Sequence, residues 1–152
     1  MPAVRVPNAP IEELGAWGQL GDGDTVHVDG HAHQVRGWIA YDDEWVEYLL
    51  DDGRWLCVED DDGLVFSIWD DQDTDWVPPD GPELTYAGTT YRRIETYRAR
   101  WLAAGIAEMT GPGTVEVWEY AGPGLTLAAV ENWGDGLEVS IGRRLAPGAV
   151  TR

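Results

Sequence analysis

The sequence predicts a mostly β fold: a duplicated antiparallel meander forming a barrel or sandwich with pseudo-twofold symmetry, preceded by one short N-terminal helix. Three observations carry this. Short apolar runs recur at regular spacing between Asp-Gly and Gly turns, the pattern of strands in a small all-β domain. Residue pairs in the first half recur in the second. Near the start, Gly15, Gly18, Gly21 and Gly23 stop any helix longer than a short one.

Taken in order, residues 1–22 read as an arm and a short helix, with Pro10 at its first position and Glu12 and Glu13 in its first turn, where the helix dipole favours acids. Val26-His27-Val28 leads into Asp29-Gly30, a preferred two-residue hairpin turn. Strands follow at Val35–Tyr41, Trp45–Leu50, Trp55–Glu59 and Leu64–Trp69. Asp52-Gly53 forms a tight turn whose flanking Asp51 and Arg54 are expected to face each other as an opposite-charge pair. The segment from Asp70 to Pro82 holds five Asp and three Pro and reads as a linker. A second strand set covers Leu84–Tyr86, Tyr91–Trp101, Val115–Tyr120, Leu125–Glu131 and Leu137–Ile141. Residues 95–107 lack clean alternation and are compatible with strand or helix. The chain is thus one domain over 1–152, with repeats at 23–69 and 83–145 and a linker at 70–82.

The repeat is specific. Glu47-Tyr48 recurs as Glu119-Tyr120 and Val58-Glu59 as Val130-Glu131, at one common offset. Gly63-Leu64 and Ser67-Ile68 recur as Gly136-Leu137 and Ser140-Ile141, at an offset one residue longer. Two like half-sheets are expected to bury their apolar faces against each other.

Composition narrows the function. The 152 residues carry 28 acids against 10 Arg and no Lys, a net charge of −18. This disfavours nucleic acid, whose phosphates need a basic face, and direct docking on or insertion into an anionic membrane. It suits cationic partners such as a metal, a polyamine or a basic protein patch. Most of these acids read as solvated surface. Cys57 is the single cysteine and excludes an intrachain disulfide. The start, Met1 to Arg5, lacks a signal peptide's apolar region, and no run approaches a transmembrane helix, so a bacterial cytoplasmic location is expected.

The candidate ligand-binding residues are Glu47, Glu59, Glu119 and Glu131, each in a strongly apolar strand context, with Trp45, Trp55, Trp118 and Trp133 nearby. A buried carboxylate needs a partner. Arg36, Arg92 or Arg93 would supply one, in which case the Glu residues fix strand register. Alternatively the Glu and Trp side chains line an acidic cleft between halves that grips a cation. His31 and His33 lie two apart on a strand, but no third ligand is spaced to complete a metal site, so no metal or other cofactor is assigned. Asp71, Asp73 and Asp75 imitate a calcium loop but meet Trp76 where Gly is required and Pro82 where Glu is required. Ser67 and Ser140 lack a nucleophile elbow, and no catalytic residue is assigned.

The pattern Gly30-x-x-His33-x-Val35-x-Gly37, then Trp45-Val46-Glu47-Tyr48-Leu49-Leu50 and Trp55-Leu56-x-Val58-Glu59, resembles a bacterial family, domain of unknown function 4178. Gly88-x-x-Tyr91, Gly105, Trp118-Glu119-Tyr120 and Val130-Glu131-x-Trp133 are similar to its second half, and the resemblance spans roughly Asp22 to Arg144. His33 departs from the family's usual Tyr, and the Asp-rich linker is particular to this chain. The resemblance implies no established activity. It implies a setting, since members lie beside genes for polyamine synthesis and small membrane proteins, which suggests a role in membrane or ionic stress.

The leading expectation is a non-catalytic binding or scaffold domain that recognises a protein partner, such as a membrane protein, through Trp-rich β surfaces. The second is a small-cation binder using the repeated Glu and Trp residues. The third is a hydrolase or lyase using the strand carboxylates.

Overall fold

The computed structural model describes residues 6–73, 81–106, 109, 111–146 and 148–152. A 3-10 helix, Glu12–Gly18, begins with Glu12 and Glu13 in its first turn and turns at Gly15, whose φ of 61° lies in the left-handed region. Eleven strands follow: β1 (Thr25–Val28), β2 (His31–Tyr41), β3 (Trp45–Leu50), β4 (Trp55–Asp60), β5 (Leu64–Gln72), β6 (Glu83–Tyr86), β7 (Thr89–Ala104), β8 (Gly113–Ala121), β9 (Thr126–Asn132), β10 (Leu137–Arg144) and β11 (Val150–Thr151). Asp29-Gly30 makes the β1–β2 turn with both residues at positive φ, as a type I′ hairpin requires. Asp42 and Asp43 adopt the same region between β2 and β3, which Asp tolerates better than most residues.

The strands form one antiparallel sheet, and eight of them close it. The meander β2-β3-β4-β5 joins the meander β7-β8-β9-β10 through two seams, β5–β10 and β2–β7. Each of the eight therefore has two hydrogen-bonded neighbours. Of the two expected architectures, the fold is the barrel. Ladders in the two meanders pair alike: Glu47 faces Cys57 on β3–β4, and Glu119 faces Ala129 on β8–β9. The first half of β2 runs past the ring to pair with β1, which carries β11, and the first half of β7 pairs with β6.

Alternation sorts the side chains into lumen and outer wall. Inside the ring the halves bury apolar side chains against each other, Ile39, Tyr41 and Trp69 of the first with Val117, Leu127 and Ala129 of the second, but carboxyls share that interior. The largest apolar cluster lies outside, where Tyr48, Leu50, Leu56 and Val58 pack under Leu14, Leu20 and Val26 of the N-terminal segment and β1. Polar anchors fix that cover. Tyr48 Oη donates to Trp17 O at 2.6 Å and accepts from Leu20 N at 3.2 Å, while Trp38 Nε1 donates to Pro7 O at 2.8 Å. A second outer cluster sets Leu84 and Tyr91 over Tyr120, Ala128, Val130 and Val139. No helix among the described residues is long and apolar enough to cross a membrane.

Four local expectations change. Residues 95–104 are strand, because β7 gains partners from β8 along its length and from β2 at its end. The linker starts later than residue 70, because Asp70, Asp71 and Gln72 continue β5 against β10. Asp75 and most of the remaining linker lie outside the described residues. Asp51 and Arg54 do not pair: Arg54 Nε reaches back to Asp52 Oδ2 at 2.8 Å, and Asp51 Oδ1 meets His33 Nδ1 at 3.0 Å. Finally, β11 is a strand the sequence did not suggest.

A candidate cation site in the barrel lumen

The lumen is a cavity of about 830 Å³ that draws its lining from all eight ring strands. Glu47 on β3, Glu59 on β4, Glu119 on β8 and Glu131 on β9 all line it, as do Trp45, Trp55 and Trp133. Trp118 does not. It follows Val117 and precedes Glu119, both of which line the lumen, so strict alternation turns it outward, where it packs against the Leu84 cluster. The parity of the strand contained this signal.

The proposed Arg partners are elsewhere. Arg92 lies 3.9 Å from Glu83 on the outer wall, and none of the six ion pairs among the described residues involves any of the four Glu. Of the two Arg that line the cavity, Arg98 is bound to Glu116 at 2.9 Å, and Arg144 stands exposed at the rim.

Closing carboxyls inside a barrel disfavours their charged form. Burial raises Glu47 to about 7, against the help its ionised form gets from the Tyr41 hydroxyl, and the charges of Asp71, Glu119 and Glu138 raise it further. Burial, then Glu59 and Glu95, raises Glu119 to about 7, with Arg144 opposing. Glu131 is pushed well above the usual carboxylate range by burial and by Glu47, Asp71 and Glu138. Glu59 and Glu138 are raised too, chiefly by burial. At neutral pH Glu47 and Glu119 are therefore poised between their two forms.

Residues that the sequence reading missed complete the wall. Ser140 Oγ donates to Asp71 Oδ1 at 2.7 Å and sits 3.4 Å from Glu131 Oε1. Trp55 Nε1 donates to the other Asp71 oxygen at 3.2 Å. Tyr41 stacks on Trp45 with ring centroids 5.1 Å apart, Tyr97 meets the edge of Trp45 at 5.7 Å, and Trp101 meets Trp133 at 5.7 Å. Buried polar atoms without a well-formed hydrogen bond include Tyr41 Oη, Trp101 Nε1 and Trp133 Nε1, all on lumen-lining residues. Only the recurrence of Ser67 at Ser140 hinted at any of this in the sequence.

A family model described as Domain of unknown function (DUF4178) matches residues 21–147. The chain belongs to this family. The DUF4178 match begins just before β1 and runs through β10, so it takes in the whole ring and every candidate residue. A search of curated proteins and a search of solved structures each returned no match.

The compact cluster of candidate ligand atoms lies away from the lumen. Among the described residues, the one group of three or more His, Cys, Asp or Glu whose ligand atoms lie within 4.8 Å of one another is His33, Asp51 and Asp52, none of which lines the cavity. That group takes in His33 but not His31, whose pairing with His33 the sequence had left without a third ligand. Arg54 also binds Asp52 there, placing a fixed positive charge beside the group.

Proposed function

We propose that the barrel lumen binds a small organic cation. One observation carries the reading: four glutamates from separate strands converge on a single aromatic-walled cavity, and none of them forms an ion pair with a side chain among the described residues. An eight-stranded barrel has an interior of the size that side chains just fill or that holds one small ligand. Carboxylates confer sign selectivity, and the faces of Trp45, Tyr41 and Trp133 favour a cation with apolar substituents. The spacing favours an organic ion over a bare metal, because the lumen gathers no compact trio of ligand atoms among the described residues.

Recognition of a protein partner draws less support. It calls for aromatics on one exposed face, whereas Trp45, Trp55 and Trp133 turn inward and the exposed Leu64, Ile94, Leu102, Leu125 and Leu137 are spread over three strands and one turn. A hydrolase or lyase keeps the near-neutral Glu47 and Glu119 in its favour and no further feature.

The test is thermal stabilisation by butylammonium, tetramethylammonium and spermidine, against sodium at equal ionic strength. Organic cations should raise the melting temperature of the wild type and leave Glu47→Gln/Glu131→Gln unmoved. Equal responses to sodium and to every organic ion would overturn the reading.

A further inference from the structure

The two meanders carry opposite charges at one reciprocal pair of lumen-lining positions. Along the β5–β10 seam, Ser67-Ile68-Trp69-Asp70-Asp71 lies antiparallel to Ser140-Ile141-Gly142-Arg143-Arg144, so that Asp71 faces Ser140 and Arg144 faces Ser67. The same place beside a serine is thus acidic on one strand and basic on the other. Both residues line the lumen and both are exposed at its rim.

The deeper carboxyls divide accordingly. Glu131 sits among the charges of Glu47, Asp71 and Glu138, and Glu47 among those of Asp71, Glu119 and Glu138. Glu59 and Glu119 share Glu95 as a neighbour, and both also have the Arg144 guanidinium, which favours their ionised forms. Clustered like charges repel unless a counter-charge sits among them. Arg144 supplies one to Glu59 and Glu119.

We infer that the lumen receives a single cationic head beside Glu47, Asp71 and Glu131, while Arg144 serves as the built-in counter-charge of Glu59 and Glu119, so that the ligand is a monocation rather than an α,ω-diamine. This rests on the reading of the lumen as an organic-cation site and specifies its ligand.

The acceptor side is built for the purpose. Ser140 and Trp55 hold the two oxygens of Asp71 in place. Tyr41, only 2% exposed, keeps a buried hydroxyl without a well-formed hydrogen bond at the Glu47 side of the lumen. Its ring and those of Trp45 and Trp133 offer faces to an alkylammonium.

Isothermal titration of the full chain at pH 8 and fixed ionic strength tests this with butylammonium and 1,4-butanediammonium as probes. Wild type should bind one butylammonium per chain, with the diammonium within about threefold in affinity. In Arg144→Gln the diammonium should become tighter by about tenfold or more, as its second head replaces the guanidinium. Arg144→Lys should keep the wild-type ratio, and Asp71→Asn should weaken butylammonium. A wild type that already prefers the diammonium about tenfold, or a ratio unmoved in Arg144→Gln, overturns the monocation inference and leaves the lumen's role in cation binding standing. Failure of both probes to bind wild type overturns that role and the inference with it.

Discussion

The indole of Trp69 lies against the backbone of Gly142 across the β5–β10 seam, so closely that a Cβ on Gly142 would come within 2.6 Å of Trp69 Cδ2 and 2.7 Å of Ile68 O. Trp69 Nε1 donates to Ser67 Oγ at 2.8 Å, which holds the ring in that position. The seam joins one meander to the other, so this contact sets how closely they meet. Gly142→Ala should destabilise the protein by roughly 1–3 kcal/mol through overpacking, measured by urea denaturation. A change within about 0.5 kcal/mol would show that the ring moves aside freely.

The raised carboxyls predict how stability depends on pH. A carboxyl whose folded pKa lies above its unfolded value binds its proton more tightly in the folded state. Its contribution is complete below the unfolded value and is lost as pH rises through the folded one. With Glu47 and Glu119 near 7, stability should fall between about pH 4.5 and pH 8. The melting temperature should be lower at pH 8 than at pH 5 by on the order of 5 °C, and a curve that instead rises over this interval would contradict the assignment.

Glu47→Gln separates stability from binding. It removes a buried carboxyl and keeps its shape, so the variant should melt higher than wild type at pH 8 and about equally at pH 5. The same variant should bind butylammonium more weakly. Lower stability at both pH values would mean that Glu47 holds the barrel together instead.

Tyr48→Phe should loosen the N-terminal cover. The hydroxyl serves both Trp17 O and Leu20 N in an apolar setting, and its loss leaves two backbone groups unpaired. A loss of about 1–3 kcal/mol is expected, with faster amide exchange at Leu20. Unchanged exchange there would show that apolar packing alone fixes the segment.

Cys57 should be sluggish toward thiol reagents. It lines the lumen, and burial, with Glu47, Glu59 and Glu119 close by, pushes its thiol well above the usual value. The thiolate is the reactive form. Reaction with a disulfide reagent at pH 7.5 should be slower than that of free cysteine by about tenfold or more, and recover in denaturant. A rate equal to that of free cysteine would place the thiol in open water.

Much of the fold was legible in the chain. Turn chemistry at Asp29-Gly30 and alternation in Trp45–Leu50 and Trp55–Glu59 are local properties, and the structure has those strands where the residues predict them. The glutamates and three of the four tryptophans were legible for the same reason, because a charged residue spaced regularly within an apolar strand is conspicuous. Strand β7 was less so. Its solvent-exposed residues include Arg92, Thr96 and Arg100, and its identity comes from ladders made with distant partners.

The sequence by itself determined the strands, their turns and the side of each strand on which Glu47, Glu59, Glu119 and Glu131 fall, because these follow from backbone preference and from a period of two. Only the tertiary structure decided that the inward side encloses carboxyls among apolar and aromatic side chains and that the largest apolar cluster lies outside beneath the N-terminal segment. Either face of a strand can be turned inward when a ring closes. The choice depends on seams such as β5–β10 and on covers such as Tyr48 with Trp17, which join residues far apart in the chain.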